Sequence, residues 1–437
     1  MSATASVGRD REDSAWAVPA YRLFLLARSV ALVGNALTLV AMPVLVYRLT
    51  GSAALTAAMT AVETLPYLVV GLPAGALVDR WHRRRVMVVT AVGSGLAMAT
   101  VPLAQALDAL TFPHLLAVGA TLASLFVFSD AASFGVVPQM VGRARVASAT
   151  STLVSVGTAI ALVGPAVAGV LVTVVDPAWV LGVDAAAYLL SGAVLARLRW
   201  PGSEDRRASA PGSGDTPADL AADGPGPSLR REIGEGLRHL WQQPVVRRLT
   251  LLGIGASLAG GATTGLLVVV GVEQLGLADD APQLGWLYSA AAAGTFVASL
   301  ALPRLQRRLG VGVITTGGFA LALVMLLALS WSASLAPALV AVALFHLATT
   351  SLIVNGIVTR QVLTPEPLQS RVNTTARLIA WGGSPLGATL GGVLAEVAGT
   401  GWALRLAAVG LAASVLGALL TGLLAVPRLG DLEAPDD

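Results

Sequence analysis

Twelve runs of about 20 or more mostly apolar residues, separated by short polar or charged links, leave this chain little choice but a polytopic helical membrane protein. They cover residues 21–47, 54–78, 86–107, 112–138, 146–174 and 177–198, then 249–272, 282–303, 310–332, 335–359, 370–397 and 402–426. With 55% hydrophobic and only 12% charged residues, too few polar groups remain to solvate a soluble domain. The predicted fold class is all-α integral membrane.

The links carry the topology. All 28 basic residues are arginine, and 24 of them fall in the two terminal tails, in alternate links or at the run ends adjoining these, the set that shares a side with the N-terminus. Arginine accumulates on the cytoplasmic side of a membrane, so both termini are expected there. The multi-pass location is expected to be the inner (cytoplasmic) membrane. Residues 1–20 are polar with no apolar core before a cleavage site, so the first run is expected to act as its own insertion signal.

Composition excludes several chemistries. Without lysine there is no P-loop of the Gly-Lys-Ser/Thr type, and without cysteine no disulfide, thiolate nucleophile or thiolate metal site. His82, His114, His239 and His346 are scattered with no metal spacing, so neither metal nor cofactor is expected. A pI near 9.8 invites a nucleic-acid reading, but the arginines sit in short inter-helix links, which is a topology signal.

The domains expected are an N-terminal tail (1–20), a six-helix bundle (21–199), a linker (200–245), a second six-helix bundle (246–427) and a tail (428–437). Residues 200–228 are rich in Pro, Gly, Ala, Ser and Asp and read as flexible linker, and 229–241 as a short amphipathic helix at the membrane surface. No soluble catalytic domain fits in a segment of about 50 residues. The halves repeat: Asp79-Arg80-x-x-Arg83-Arg84 aligns with Pro303-Arg304-x-x-Arg307-Arg308, and Gly164-Pro165 with Ser384-Pro385. A duplicated bundle places a binding site near the midplane between its halves.

A charge at the centre of a spanning helix costs about 2.5–3.5 kcal/mol on insertion scales, so it needs a wet cavity or a partner. Glu63 falls roughly 14 Å into the second run at 1.5 Å per residue, with Tyr67 one turn along. It is read as a protonatable carboxylate coupling transport to protons; the alternative is a carboxyl bonded to a neighbouring helix. Arg28 and Asp130 fall at matched depths in the first and fourth runs and are expected to pair, either as a structural lock or as a proton-responsive gate. Asn35 lies two turns beyond Arg28. In the eleventh run Asn373, Arg377 and Trp381 share a face, where Arg377 could hold an anionic group over Trp381 or snorkel to the surface. With His346 near mid-depth of the tenth run, these line the expected substrate cavity. Asp184 is expected at a peripheral helix contact, and Glu273 and Glu396 are expected to be solvated at helix ends.

Gly157, Gly164, Pro165 and Gly169 in the fifth run, and Pro385 amid glycines in the eleventh, mark surfaces on which one half could slide over the other. The link Gly75-Ala-Leu-Val-Asp79-Arg80-Trp-His82-Arg83-Arg84 resembles the signature loop of the major facilitator superfamily, Gly-x-x-x-Asp-Arg-x-Gly-Arg-Arg, with His82 where the family usually has glycine. The Val163-Gly164-Pro165 stretch resembles the antiport signature of its exporters, and Tyr21–Arg28, Glu63-Thr-Leu-Pro66 and Val137-Pro138 are similar to its drug and siderophore branch (enterobactin-exporter-like and macrolide-efflux-like proteins). That resemblance implies rocker-switch alternating access and proton antiport. It also implies a gate in which Gly75, Asp79, Arg80, Arg83 and Arg84 clasp the cytoplasmic ends of the halves. The sequence departs from the branch at Gln139, where glutamate is common, and at Asn35, where aspartate is common.

The resulting expectation is a non-enzymatic exporter of amphiphilic small molecules, with a small-molecule substrate, protons and the lipid bilayer as partners, no nucleic acid, and a functional monomer. An importer or facilitator of a small nutrient, or a non-transporting membrane sensor or assembly partner, is the alternative.

Overall fold

The computed structural model describes residues 15–71, 74, 77–78, 81–134, 136–142, 145–198, 229–365, 368, 372, 375–376, 378–380 and 382–432. Among these the secondary structure is helical throughout. In hydrocarbon every backbone N–H and C=O must be satisfied within its own segment, and a helix does that. The long helices are α1 (Pro19–Thr50), α2 (Ala53–Val69), α3 (Arg83–Ala106), α4 (Phe112–Phe134), α5 (Val146–Val174) and α6 (Pro177–Arg197) in the first half. The second half has α7 (Pro244–Val269), α8 (Gln283–Arg308), α9 (Val311–Ser330), α10 (Leu335–Leu363), α11 (Gly383–Ala398) and α12 (Thr400–Leu420). Eleven helices among the described residues are long and apolar enough to cross a membrane; α2, at 17 residues, completes the apolar set, and Gly71, Ala74, Leu77 and Val78 beyond it are also helical.

Some boundaries differ from the sequence expectation. The run at 112–138 is helical over Phe112–Phe134 and again from Val136, and the second stretch continues beyond the expected edge to Val141. In the run at 370–397 the described residues Val372, Thr375, Ala376 and Leu378–Ala380 are helical, and so is Gly383–Ala398, where Pro385 falls in the first turn and its missing N–H costs no bond. His82 caps α3 with φ −73° and ψ 105°, extended backbone that needs no glycine. Arg360, counted as a link residue from sequence, is instead buried near the end of α10, because that helix runs on to Leu363. Leu229–Gln242 is helical as expected; Leu237 and Trp241 are exposed, and the Arg247 guanidinium lies 5.8 Å from the Trp241 ring.

Within each half the helices pack as a bundle, α1 and α3 against α6, and α8 and α9 against α10. Two contacts related by the internal repeat join the halves, α2 with α11 and α5 with α8, and α7 also touches α2. The apolar core is distributed unevenly. The end that holds the start of α1 and the close of α12 is called here the terminal face, and the opposite end the distal face. Toward the distal face one continuous core runs through both halves, from Leu37, Val40 and Met98 to Leu266, Leu284 and Phe345. Toward the terminal face the clusters formed by the described residues are separate, one around Tyr21, Phe24 and Met140 in the first half and two around Leu240 and Leu423 in the second.

Candidate functional site

The halves meet through backbone at the distal face. A Cβ added at Gly169 of α5 would stand 2.4 Å from the Pro282 carbonyl oxygen and 2.8 Å from Gly285 Cα, so α5 and α8 touch main chain to main chain. On the other side of the pseudo-twofold, a Cβ on Gly392 of α11 would fall 2.6 Å from Ala57 Cβ of α2. Small residues at such crossings let helices approach closely. Gly164 packs on Ala36 of α1, where an added Cβ would sit 2.5 Å from the alanine Cβ. Gly157 is different: the same atom there would meet only Leu32 at an ordinary 3.6 Å, so close packing does not require that glycine.

Polar bonds ring this seam. Tyr47 Oη donates to Glu273 Oε1 at 3.1 Å, and Thr400 Oγ1 donates to Glu273 Oε2 at 3.0 Å. Ser52 Oγ and the Ala54 N–H both donate to Glu396 Oε2, at 2.9 and 3.1 Å. Arg48 Nε lies 3.5 Å from Asp279 Oδ2. Glu273 and Glu396 are therefore not simply solvated, as the sequence suggested; both are exposed, and both bridge the halves. Exposed ion pairs are worth about 0–1 kcal/mol each, so close packing of α5–α8 and α2–α11 holds the seam and the carboxylates trim it.

Below the seam, Glu63 is half-buried in α2, facing Gly119 of α4, and makes no hydrogen bond or ion pair to any described residue. The buried Tyr288 of α8, in the other half, is within reach of its charge. Tyr67 is on the same helix, but its side chain lies outside the described set. Glu63 thus sits beside the junction of the halves, its carboxylate without a partner among the described residues.

Arg28 and Asp130 do approach each other, Arg28 Nη2 to Asp130 Oδ1 at 4.0 Å. Arg28 and Asn35 line a cavity of about 40 Å3, room for a few waters, together with Ser94, Ser129, Tyr188 and Ser191. This cavity lies among α1, α3, α4 and α6, inside the first half rather than between the halves. His346 of α10 carries a buried Nε2 with no hydrogen-bond partner and packs edge-on against Phe345, so it is not the helix-to-helix bond a lone histidine usually makes. Of the clasp, Arg84 donates from its guanidinium to the Ala196 carbonyl at the end of α6. Gly75, Asp79, Arg80, Asn373, Arg377 and Trp381 lie outside the described residues.

Sequence reasoning read Glu273 and Glu396 as solvated helix-end groups and passed over Asp279 and Tyr288. Ser52 at a helix N-cap position was the one local signal, since such a residue marks a helix start, but its partner is 344 positions away.

The Major Facilitator Superfamily profile matches residues 24–381. The chain is 31% identical over 433 residues to the multidrug efflux pump Tap of Mycolicibacterium fortuitum, covering 94% of this chain and 96% of that protein. It is 29% identical over 395 residues to the Tap pump of Mycobacterium tuberculosis (strain ATCC 25618 / H37Rv), covering 87% and 88% of the two chains. Among solved structures, a bacterial homologue of the human lysosomal transporter Spinster, inward-facing and unoccupied, aligns with a TM-score of 0.71 at 15% identity over 95% of this chain and 98% of that one. The nucleoside transporter NupG aligns at 0.72 and 11% identity over 93% and 99%. At such identities the structures speak for fold alone, and the profile and the relatives speak for family: this multi-pass membrane protein belongs to the Major Facilitator Superfamily and is a transporter, not an enzyme.

Proposed function

We propose that this transporter exports amphiphilic small molecules in exchange for protons, by exposing a site between its halves alternately to the two sides of the membrane. The observation that carries the reading is the position of Glu63, a mid-helix carboxyl at the junction of the halves with no bond to a described residue. A charge in that place is costly, so a carboxyl kept there without a described partner reads as a functional group that takes up and releases a proton. Multidrug efflux is the activity named for the Tap relatives, and the apolar lining of the spans suits an amphiphilic cargo. In this reading the distal seam is the closed outer gate, the terminal face with its separate cores is the open inner side, and both termini are cytoplasmic at the inner membrane. The unit of transport is one chain. Tyr67, His346, Asn373, Arg377 and Trp381 contact or position cargo, Arg28 and Asn35 line the water-sized cavity inside the first half and act on cargo only through its walls, Asp130 assists Glu63, and the loop at Asp79 clasps the inner ends when the outer gate opens.

Inverted membrane vesicles containing the wild-type chain, given an inside-acid pH gradient and ethidium as probe, test this. Gradient-dependent ethidium accumulation that collapses with a protonophore is the expected result. Accumulation that ignores the gradient overturns proton exchange.

A further inference from the structure

Asp184 is the one carboxylate among the described residues that is fully buried, at 1% exposure, and the transport reading above gives it no task. Its Oδ2 accepts a hydrogen bond from Thr38 Oγ1 of α1 at 2.5 Å. Its Oδ1 is buried with no hydrogen-bond partner, pressed against the α1 backbone at Gly34, where an added Cβ would stand 2.0 Å from that oxygen. An anion held by one hydroxyl in an apolar bundle is costly, and the neutral acid far less so.

A cavity lined in part by polar side chains comes to within one turn of α6 from it. The cavity among α1, α3, α4 and α6 begins at Arg28, whose guanidinium faces Asp130, and reaches Tyr188, one turn of α6 from Asp184. Tyr188 is within electrostatic reach of both Asp184 and Arg28. Asn35, Ser94, Ser129 and Ser191 line the same space, which suits a short file of water. The ionisable groups facing Asp184 are few. Tyr188 of α6 itself is within electrostatic reach of it; Arg28 of α1 reaches Tyr188, and Asp130 of α4 approaches Arg28, while α5 has no ionisable residue and those of α3 stand at its start, Arg83 to Arg85.

We propose that Asp184 is a second proton site, loaded through this cavity, and that its charge state sets how α1 seats against α6. This rests on the proton-exchange reading above. Loading moves one proton from a hydronium in the cavity to Oδ1, forming an O–H bond there and leaving water, and the charge at Asp184 goes from −1 to zero. Because α1 also packs on α5 through Ala36 and Gly164, the event is transmitted toward the α5–α8 seam.

Infrared difference spectra between acid and alkaline pH, on the purified full-length protein, test the site without any cargo. Wild type should gain protonated-carboxyl absorption on acidification. Asp184→Asn, nearly isosteric, should lose one component of it, and Glu63→Gln should retain that component. Thr38→Val should keep the component but shift the pH at which it appears. An unchanged spectrum in Asp184→Asn, or an unshifted one in Thr38→Val, overturns the proposal. The vesicle assay separates the two readings. Gradient-driven accumulation in wild type with an unchanged Asp184→Asn spectrum sinks the second site alone. A lost component without gradient-driven accumulation leaves the proton site standing and removes antiport.

Discussion

Glu396, near the end of α11, caps the start of α2 in the opposite half: its Oε2 receives both the Ser52 hydroxyl and the Ala54 N–H. A helix N-terminus carries about half a positive charge, so a carboxylate from the other half suits it. The bonds are complete while Glu396 is ionised and are lost as it takes up a proton. Acid on the distal face should therefore loosen the seam.

Glu396→Ala should shift the balance toward a distally open form by about fivefold, equivalent to about 1 kcal/mol for an exposed charged contact. The native chain has no cysteine, so spin labels on cysteines replacing Leu107 and Asp280 report one distance across the distal face without background. The variant should show a larger long-distance population than wild type and a smaller response to acid. The response should not vanish, since Glu273 and Asp279 also bridge the halves there.

Glu63→Gln should insert and fold normally yet lose at least tenfold in gradient-driven ethidium accumulation, because the amide cannot carry a proton. The inverted-vesicle assay with matched protein amounts reads this directly. Full retention of gradient-driven transport would move the coupling site elsewhere.

Gly169→Ala should force α5 and α8 apart, since its methyl has no room beside the Pro282 carbonyl. Overpacking of this kind costs about 1–3 kcal/mol. The expected outcome is a lower melting temperature in detergent and a wider distal distance. Gly157→Ala, whose methyl would meet only Leu32 at an ordinary 3.6 Å, should leave both unchanged.

Arg28→Met should destabilise the first half more than Arg28→Met combined with Asp130→Asn, because the single change leaves Asp130 without its cation. At 4.0 Å and with 19% and 31% of the side chains exposed, the loss should be about 1–2 kcal/mol. Thermal unfolding of the two single variants and the pair gives the coupling energy.

The architecture was readable from sequence because its causes are local in the chain. Run length fixes a span, Ser52 and Gly51 mark a turn between α1 and α2, and arginine in alternate links orders the helices. The Arg28–Asp130 approach was also within reach, since depth along a helix follows from counting residues. The seam was not, because it depends on the rotation and register of one half against the other. Nothing near Glu396 in the chain points to Ser52, and nothing near Glu273 points to Tyr47. Asp184 was underrated for a related reason: its burial comes from the missing side chain at Gly34, on another helix.

The contact between Gly169 and Gly285 lies close to one end of α5, and this fixes a mechanical ratio for the proposed cycle. From Gly169 back to Val146 the helix rises roughly 35 Å at 1.5 Å per residue. Pivoting on bare main chain at that point, each degree of tilt sweeps the far tips of the helices through roughly 0.6 Å, while the fulcrum hardly moves. Such a lever lets a disturbance of a few tenths of an ångström beside the glycines become an aperture wide enough for cargo at the other end.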